Sequence, residues 1–334
     1  MFIIDNYLLA VIFCFITMLC WGSWANTQKL SSQKWPFQLF YWDYTFGILI
    51  ISVLFAFTLG SFGEGGRSFL SDLYQADEKS LTSAFIGGII FNFGNILLVI
   101  AIEIAGMAIA FPIGIGIALV LGVFTNYIVQ PNGDPILLII GVLLVTLAII
   151  IDGIAYRKIL QKTNKNPLKG ILFSAAAGIA MGFFYKFVAA SMATDFVNPE
   201  TGKLTPYTAL VVFSLGIIIS SFLFNSINMY RPFSGEKVSF SDYFTMGNKK
   251  LHLIGILGGV IWGIGMSFNI IASEQAGPAI AYGLGQGATL VAAIWGVFIW
   301  KEFKELPRKS YWLIPLMFLL FVLGIAVLIL AKLI

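Results

Sequence analysis

A chain of 334 residues that is 59% hydrophobic and only 11% charged, with a mean hydropathy of +0.92, cannot be a soluble globular domain, in which about a quarter of residues are charged. Its 20 Lys and Arg exceed its 16 Asp and Glu by a net charge of +4, and their concentration in one set of connections, described below, makes that charge a mark of topology and not of a nucleic-acid partner. A single histidine, two cysteines (Cys14 and Cys20) in one apolar stretch, and the lack of a Gly-x-Ser-x-Gly elbow or phosphate loop exclude the common enzyme classes and give no reason to expect a metal or cofactor.

Apolar blocks of about 20 residues, the length that crosses a bilayer core as a helix, fall over residues 7–28, 37–60, 81–102, 108–130, 135–155, 168–190, 206–229, 251–272, 278–300 and 311–333. Lipid offers the backbone no hydrogen-bond partner, so each block is expected to be helical. The first has no Lys or Arg before Lys29 and runs directly into Trp21-Gly22-Ser23-Trp24, so it is read as a retained span and not a cleaved signal. At 100° per residue Thr17, Trp21, Trp24 and Gln28 share one of its faces. Asp43 lies about 9 Å into the second block by helical rise, among Tyr41, Trp42 and Tyr44. It reads either as an ion-coupling group or as an interfacial carboxylate in an aromatic belt. The acidic connection Gly60–Leu81 reads as a surface loop, with a short amphipathic helix around Phe69–Tyr74 as the alternative.

The third block aligns Asn92, Asn95, Val99 and Glu103 on one face; in the fifth, Asp152 reads as interfacial beside Arg157 and Lys158. The sixth carries Gly170, Ser174, Gly178 and Gly182 in register, a packing pattern. It also holds Lys186, the sole basic residue away from the ends of a block, which either pairs with a substrate or carboxylate or snorkels to the surface. The eighth repeats the small-residue pattern at Gly255, Gly259 and Gly263 and presents Gly263, Met266, Ile270 and Glu274 on the face equivalent to that of the third. In the ninth, Tyr282, Gln286 and Thr289 share a face.

One stretch occurs twice. Gly87–Gly116 matches Gly258–Gly287 without a gap at fourteen of thirty positions, bringing Glu103 over Glu274. Five blocks per copy is an odd number, so the second copy enters from the opposite side. The fold class expected is therefore an all-α integral membrane protein of ten transmembrane helices in two inverted five-helix repeats: residues 1–156, a basic cytoplasmic linker 157–169, and residues 170–334. Fifteen basic residues sit in connections on one side and four on the other. The positive-inside rule makes the rich side cytoplasmic and both termini extracytoplasmic, in a plasma (inner) membrane.

The polar faces of blocks one, three, eight and nine are expected to surround a central cavity. Aromatic rings with a few amides suit a small neutral polar solute, because rings stack on apolar faces while amides both donate and accept. Candidate substrate-binding residues are Trp21, Trp24, Gln28, Asn92, Asn95, Tyr282 and Gln286; candidate ion-coupling or gating residues are Asp43, Glu103, Glu274 and Lys186. Glu103 and Glu274 otherwise read as caps of the helices that follow them.

The ten-span plan with its Gly- and Asn-rich third span, Ala110-Phe-Pro-Ile-Gly-Ile-Gly116 and Gly296-Val-Phe-Ile-Trp-Lys-Glu302 resembles the drug/metabolite transporter superfamily, and Leu204-Thr-Pro-Tyr-Thr-Ala209 with Phe213-Ser214, and Gly87-Gly-Ile-Ile-Phe-Asn-Phe-Gly-Asn95, resemble ureide permeases. Within it the chain is similar to the branch of bacterial glucose/ribose uptake proteins, rhamnose transporters and plant ureide permeases. That resemblance implies alternating access, with spans five and ten peripheral. Ureide permeases of this type carry a long central loop with a phosphate-loop-like motif, and here Tyr156–Lys169 is short and lacks one, which favours the bacterial uptake type. The function expected is secondary active transport of a monosaccharide, coupled to a proton or cation, with ureide or nucleobase permeation, metabolite export and a non-transporting scaffold as alternatives. Partners expected are the solute, the coupling ion and the lipid bilayer, with homodimer formation left open.

Overall fold

The computed structural model describes residues 1–31, 34–105, 107–159, 167–233 and 236–333. Gly106 of the first repeat copy, and Lys162 and Lys165 of the expected linker, lie outside the described residues. Among the described residues, ten helices are long and apolar enough to cross a membrane: α1 (Tyr7–Ser31), α2 (Phe37–Phe57), α3 (Glu78–Ala105), α4 (Ile109–Val129), α5 (Pro135–Ile159), α6 (Leu168–Ser191), α7 (Pro206–Tyr230), α8 (Lys249–Ala276), α9 (Pro278–Ile299) and α10 (Arg308–Leu330). Each expected block corresponds to one of them, and among the described residues there is no β-strand. The class is all-α and ten-spanning, as its composition demands.

Two spans are discontinuous. Helix α1 is interrupted at Trp24, between Tyr7–Ser23 and Ala25–Ser31. Helix α9 is interrupted at Gln286 and Gly287, between Pro278–Gly285 and Ala288–Ile294, and then widens into a π-turn over Trp295–Ile299. Flanking glycines weaken the helix at that break, and a π-turn inside a helix re-aims the side chains that follow it.

Two connections carry short helices, the first correcting the loop reading of Gly60–Leu81. Phe69–Gln75 is helical, with Phe69 packed edge-on against Phe57 of α2 (5.1 Å between ring centres). Phe240–Thr245 is helical as well, started by a capping box in which Ser239 and Asp242 satisfy each other's backbone N–H groups.

The pairing of spans has a regularity. Helix α3 packs on α6 and α7, and α8 packs on α1 and α2; α4 meets α6, and α9 meets α1; α2 also packs on α7, and α5 on α10. Adding or subtracting five converts α3–α6 into α8–α1, α3–α7 into α8–α2 and α4–α6 into α9–α1, and carries α2–α7 and α5–α10 onto themselves. Glycines let the backbones touch at equivalent crossings: a Cβ on Gly88 would stand 2.1 Å from the Phe213 carbonyl of α7, and one on Gly259 would stand 1.9 Å from the Tyr44 carbonyl of α2. Gly88 and Gly259 are equivalent positions of the repeated stretch.

The bundle has two unlike ends. The connections near Lys34, Arg157, Arg231–Lys250 and Lys301–Lys309 lie at one, the basic face. The other, the terminal face, holds the loops after α2, α4 and α6 and brings the chain ends together, Tyr7 Oη of α1 donating to the Ile329 carbonyl of α10 (2.7 Å).

Candidate functional site

A cavity of about 440 Å³ enters from the basic face and continues into an inner chamber of about 130 Å³. Gly22, Trp24, Asn95, Phe111 and Thr289 line both, so the two form one space at the breaks in α1 and α9. A Cβ on Gly22 would lie 2.5 Å from the Ala288 carbonyl, so glycine is what allows the two broken helices to meet there.

The inner chamber is an aromatic cage. Trp21 lies parallel to Trp262 (5.8 Å, 11°), Phe91 packs on Trp262 (4.4 Å), and Trp24, Phe111 and Phe184 complete the wall. Its polar side chains, indole groups aside, are Asn95, Gln286 and Thr289. Asn95 Nδ2 donates to the Tyr41 hydroxyl (3.2 Å), whereas no described residue bonds its carbonyl oxygen or the amide of Gln286. The Trp21 indole N–H is buried and likewise bonded to no described residue.

The outer vestibule is charged. Glu302 accepts from Lys29 Nζ and from the Tyr156 hydroxyl, and the Lys29 ammonium lies 4.2 Å from the ring centre of Trp300. Trp300 Nε1 donates to Asn26 Oδ1 (2.6 Å), and Trp295 Nε1 to Ser23 Oγ (2.9 Å), so the π-turn of α9 grips the end of α1. Three carboxyl groups, Glu103, Asp152 and Glu302, face this space along with Lys29.

The structure brings together Trp21, Trp24, Asn95 and Gln286 in the chamber, and Gln28 and Glu103 in the vestibule. Others fall elsewhere. Asn92 is fully buried behind Asn95, accepting from the Tyr41 hydroxyl (2.7 Å) and donating to Ser220 Oγ (2.7 Å). Tyr282 wedges against Gly122 of α4 and donates to the Met181 carbonyl (2.9 Å). The expected face of α8 is not cavity wall either. Gly263, Met266 and Ile270 are buried, with Gly263 against Ile51 of α2, and α8 offers the chamber only Trp262.

The candidate ion-coupling residues are scattered. Asp43 is off the cavity: its oxygens accept from Tyr243 Oη and Trp35 Nε1 (3.0 Å) and lie 2.9 and 3.2 Å from His252 Nδ1. This cluster ties the Phe240–Thr245 helix to α2 and α8. Burial, and then the Asp43 carboxylate it donates to, push the Tyr243 phenol above its ordinary pKa. Lys186 lies against the rings of Phe183 and Phe187 (5.6 and 5.8 Å), outside the cavity. Glu274 stands at the terminal face and accepts from the Phe196 backbone N–H (2.7 Å); it does not cap α9, whose N-cap is Gly277. Spans α5 and α10 are not equally peripheral, since Ile149, Asp152 and Tyr156 of α5 line the vestibule.

The terminal face is closed. Arg67 donates to Asp72 Oδ1 (2.9 Å) and to the carbonyls of Pro199, Glu200 and Lys203 (2.6, 3.1 and 2.7 Å). Thr205 N donates to Asp72 Oδ2 (2.7 Å) and Asp77 N to the Gly202 carbonyl (3.0 Å), so the loop after α6 is sewn to the loop after α2.

Sequence reasoning missed Asn26, Lys29, Asp152, Tyr156, Trp262 and Glu302. The repeat contained a signal for one of them: Trp262 is the equivalent of Phe91, and the two rings pack against each other at a tilt. Asp152 lies seven residues inside the end of α5, about 10 Å by helical rise, because α5 runs on to Ile159.

A ten-helix bundle folded around a chamber that opens at one face has the form of a membrane transporter. Residues 40–158 and 145–331 match the ureide permease family, and the chain belongs to that family. It is 24% identical to ureide permease 1 and 22% identical to ureide permease 2 of Arabidopsis thaliana, with 98% of each chain covered in both comparisons. The glucose uptake protein GlcU of Bacillus subtilis (strain 168) is 24% identical over 66% of this chain and 68% of its own. A solved crystal structure shares the fold with a TM-score of 0.62 at 15% identity, covering 97% of both chains. The chain is thus a multi-pass membrane transporter and not an enzyme.

Proposed function

We propose that this transporter is a secondary active one working by alternating access, and that its solute is a small, flat, neutral molecule of the ureide or nucleobase class. The observation that carries the solute class is the composition of the inner chamber: six aromatic rings against three polar side chains. A monosaccharide brings a hydroxyl on nearly every carbon, each of which loses water on entry and needs a partner. A planar amide-bearing solute offers two π-faces to the rings and only a few edge groups to Asn95, Gln286 and Thr289. The order of the two classes expected from sequence is therefore reversed. The likeness to the ureide permeases over 98% of the chain points the same way. A monosaccharide is the second reading, supported by the likeness to the glucose uptake protein and by the apolar face that Trp21 and Trp24 present.

The Lys and Arg bias supports a cytoplasmic basic face with the termini outside, in the plasma membrane, so the conformation described is open to the cytoplasm. The five-shifted pairing and the two broken helices beside the chamber support inverted repeats with a site between them. Glu103 and Glu274, at opposite ends, are then candidate gating groups of the two mouths.

Uptake of labelled uracil, allantoin and glucose into proteoliposomes tests the reading. Accumulation of uracil or allantoin without glucose is expected; glucose alone reverses the assignment, and movement of none overturns it.

A further inference from the structure

The carboxyl groups within the spans differ in how they are held. Asp43 has both oxygens engaged by Tyr243, His252 and Trp35, away from the cavity. Glu274 gives one oxygen to the Phe196 N–H behind the closed terminal face. Glu302 is matched by Lys29 and Tyr156. Asp152 and Glu103 both line the cavity with no described residue bonding their carboxyl groups, and of the two Asp152 alone has a fully buried oxygen, Oδ1.

We propose that Asp152 is the group that takes up and releases a coupling proton, with Glu302 and Tyr156 as positioning residues; this rests on the transport reading above. Asp152 and Glu302 line the same vestibule, and Tyr156, one turn along α5, fixes Glu302 by donating to it. Lys29 from α1 neutralises Glu302. The group Asp152–Glu302–Lys29 therefore carries one net negative charge when Asp152 is ionised and none when it binds a proton. An ionised carboxylate without donors is costly to enclose, whereas the acid is not. The vestibule can stay ionised while open to water, and it closes over the solute more readily once the proton is on. The remaining charged groups nearby are Glu103, across the vestibule on α3, and Arg157 and Lys158 on α5 itself; Lys158 is drawn off to Ser310 Oγ of α10 (3.0 Å).

A proton fits this place better than a metal ion. Hard cations need six or more oxygen ligands or a strict octahedron, and the described residues hold no group of three or more His, Cys, Asp or Glu able to bind one.

The test uses the full chain in proteoliposomes with labelled uracil, allantoin and glucose as probes. A pH gradient of one unit supports about tenfold accumulation by one-proton symport. Asp152→Asn is expected to reduce that to no accumulation while solute-for-solute exchange continues. Infrared difference spectra across a pH titration provide a readout that needs no solute. The wild type should show a protonated-carboxyl band that Asp152→Asn lacks. Should Asp152→Asn fail to reach the membrane, Glu302→Gln carries the test. Removing the neighbouring charge should move the band's midpoint to lower pH, and an unmoved midpoint overturns the proposal. It is also overturned if the band survives Asp152→Asn, if that variant still accumulates solute, or if a sodium or potassium gradient replaces the pH gradient as the drive. If no probe moves in the wild type, the transport reading fails and takes the coupling role with it; if probes move and Asp152→Asn behaves as wild type, this inference alone is wrong.

Discussion

At the terminal face the main chain closes the bundle, loop backbone bonded to loop backbone and to Arg67, whereas at the basic face side chains reach across a gap that the backbone leaves open. The two ion pairs make the contrast concrete. Arg67 and Asp72 are 22% and 0% exposed at the side chain, while Lys29 and Glu302 are 44% and 30% exposed. Exposed pairs contribute about 0–1 kcal/mol, and breaking a buried pair by deleting one partner costs about 3–5 kcal/mol. The glycine crossings at Gly88 and Gly259 are equally tight, so the difference between the ends lies in the loops and not in the packing of the spans. One end is built to stay shut until several bonds break together; the other moves at the cost of a few weak ones.

The largest effect should come from unpicking the closed end. Arg67→Ala leaves the fully buried Asp72 carboxylate with Thr205 N and Gln75 Nε2 as its remaining donors and takes one donor from each of three carbonyls at once. A loss of about 3 kcal/mol is expected, read as a lower midpoint of unfolding in detergent. A thiol placed by Glu274→Cys should at the same time become reactive to an impermeant reagent from the terminal side. Unchanged labelling in the Arg67→Ala background would mean that Arg67 is not part of the closure.

Asn92 and Asn95 sharpen the comparison from within one helix. Asn95→Ala removes a chamber amide and should raise the apparent KM about tenfold, one hydrogen bond of about 1.4 kcal/mol, with little change in stability. Asn92→Ala takes the acceptor from the buried Tyr41 hydroxyl and the amide donor from Ser220 Oγ, and should cost about 2 kcal/mol of stability with a smaller change in KM. If the two variants behave alike, the chamber has been placed on the wrong turn of α3.

At the open end the effect should be smaller. Lys29→Ala removes an exposed pair and should change stability by under about 1 kcal/mol. It should make a thiol at Gln28→Cys label faster from the basic side, since the Lys29–Trp300 contact no longer narrows the mouth. A large loss of stability would show that the two ends are held alike.

These residues also show how far the sequence reaches. Span number and position followed from block length, since a bilayer fixes the length of an apolar helix whatever it packs against. Helical periodicity found the faces of α1, α3 and α9 but could not tell Asn95 from Asn92, three residues apart, because that depends on which neighbour fills each side. Tyr282 shared a face with Gln286, yet Gly122 across from it leaves a hole that takes the ring. On α8 the face was read from the repeat alone, and Gly263 against Ile51 closes it. The vestibule was the least legible. Lys29, Asp152 and Glu302 come from three distant stretches, each beside basic residues that made it look like an ordinary interface.

The smallest expected effect distinguishes the two faces by acid. Asp77 Oδ1 accepts from the Ser80 backbone N–H (2.6 Å), and Asp195 Oδ1 from Asn198 N (2.9 Å). Those backbone bonds hold both carboxyl groups below the ordinary aspartate range. A depressed carboxyl pKa in the fold means stability that is present at any pH above the ordinary value. That stability fades as pH drops below the ordinary value and is gone once pH has fallen through the lowered one. Both residues belong to the terminal face. At the basic face the equivalent cap of α8 is Asn248, whose amide accepts from Leu251 N (3.1 Å) and does not titrate. Hydrogen exchange, corrected for the intrinsic effect of pH, should therefore show the Ser80 and Asn198 amides losing protection in acid while Leu251 keeps its own. Both carboxylates are exposed, so the change should be local and leave the unfolding midpoint almost unmoved. Loss of protection at all three amides together would point to global opening and would dissolve the distinction between a face closed by charge-assisted backbone bonds and one that is not.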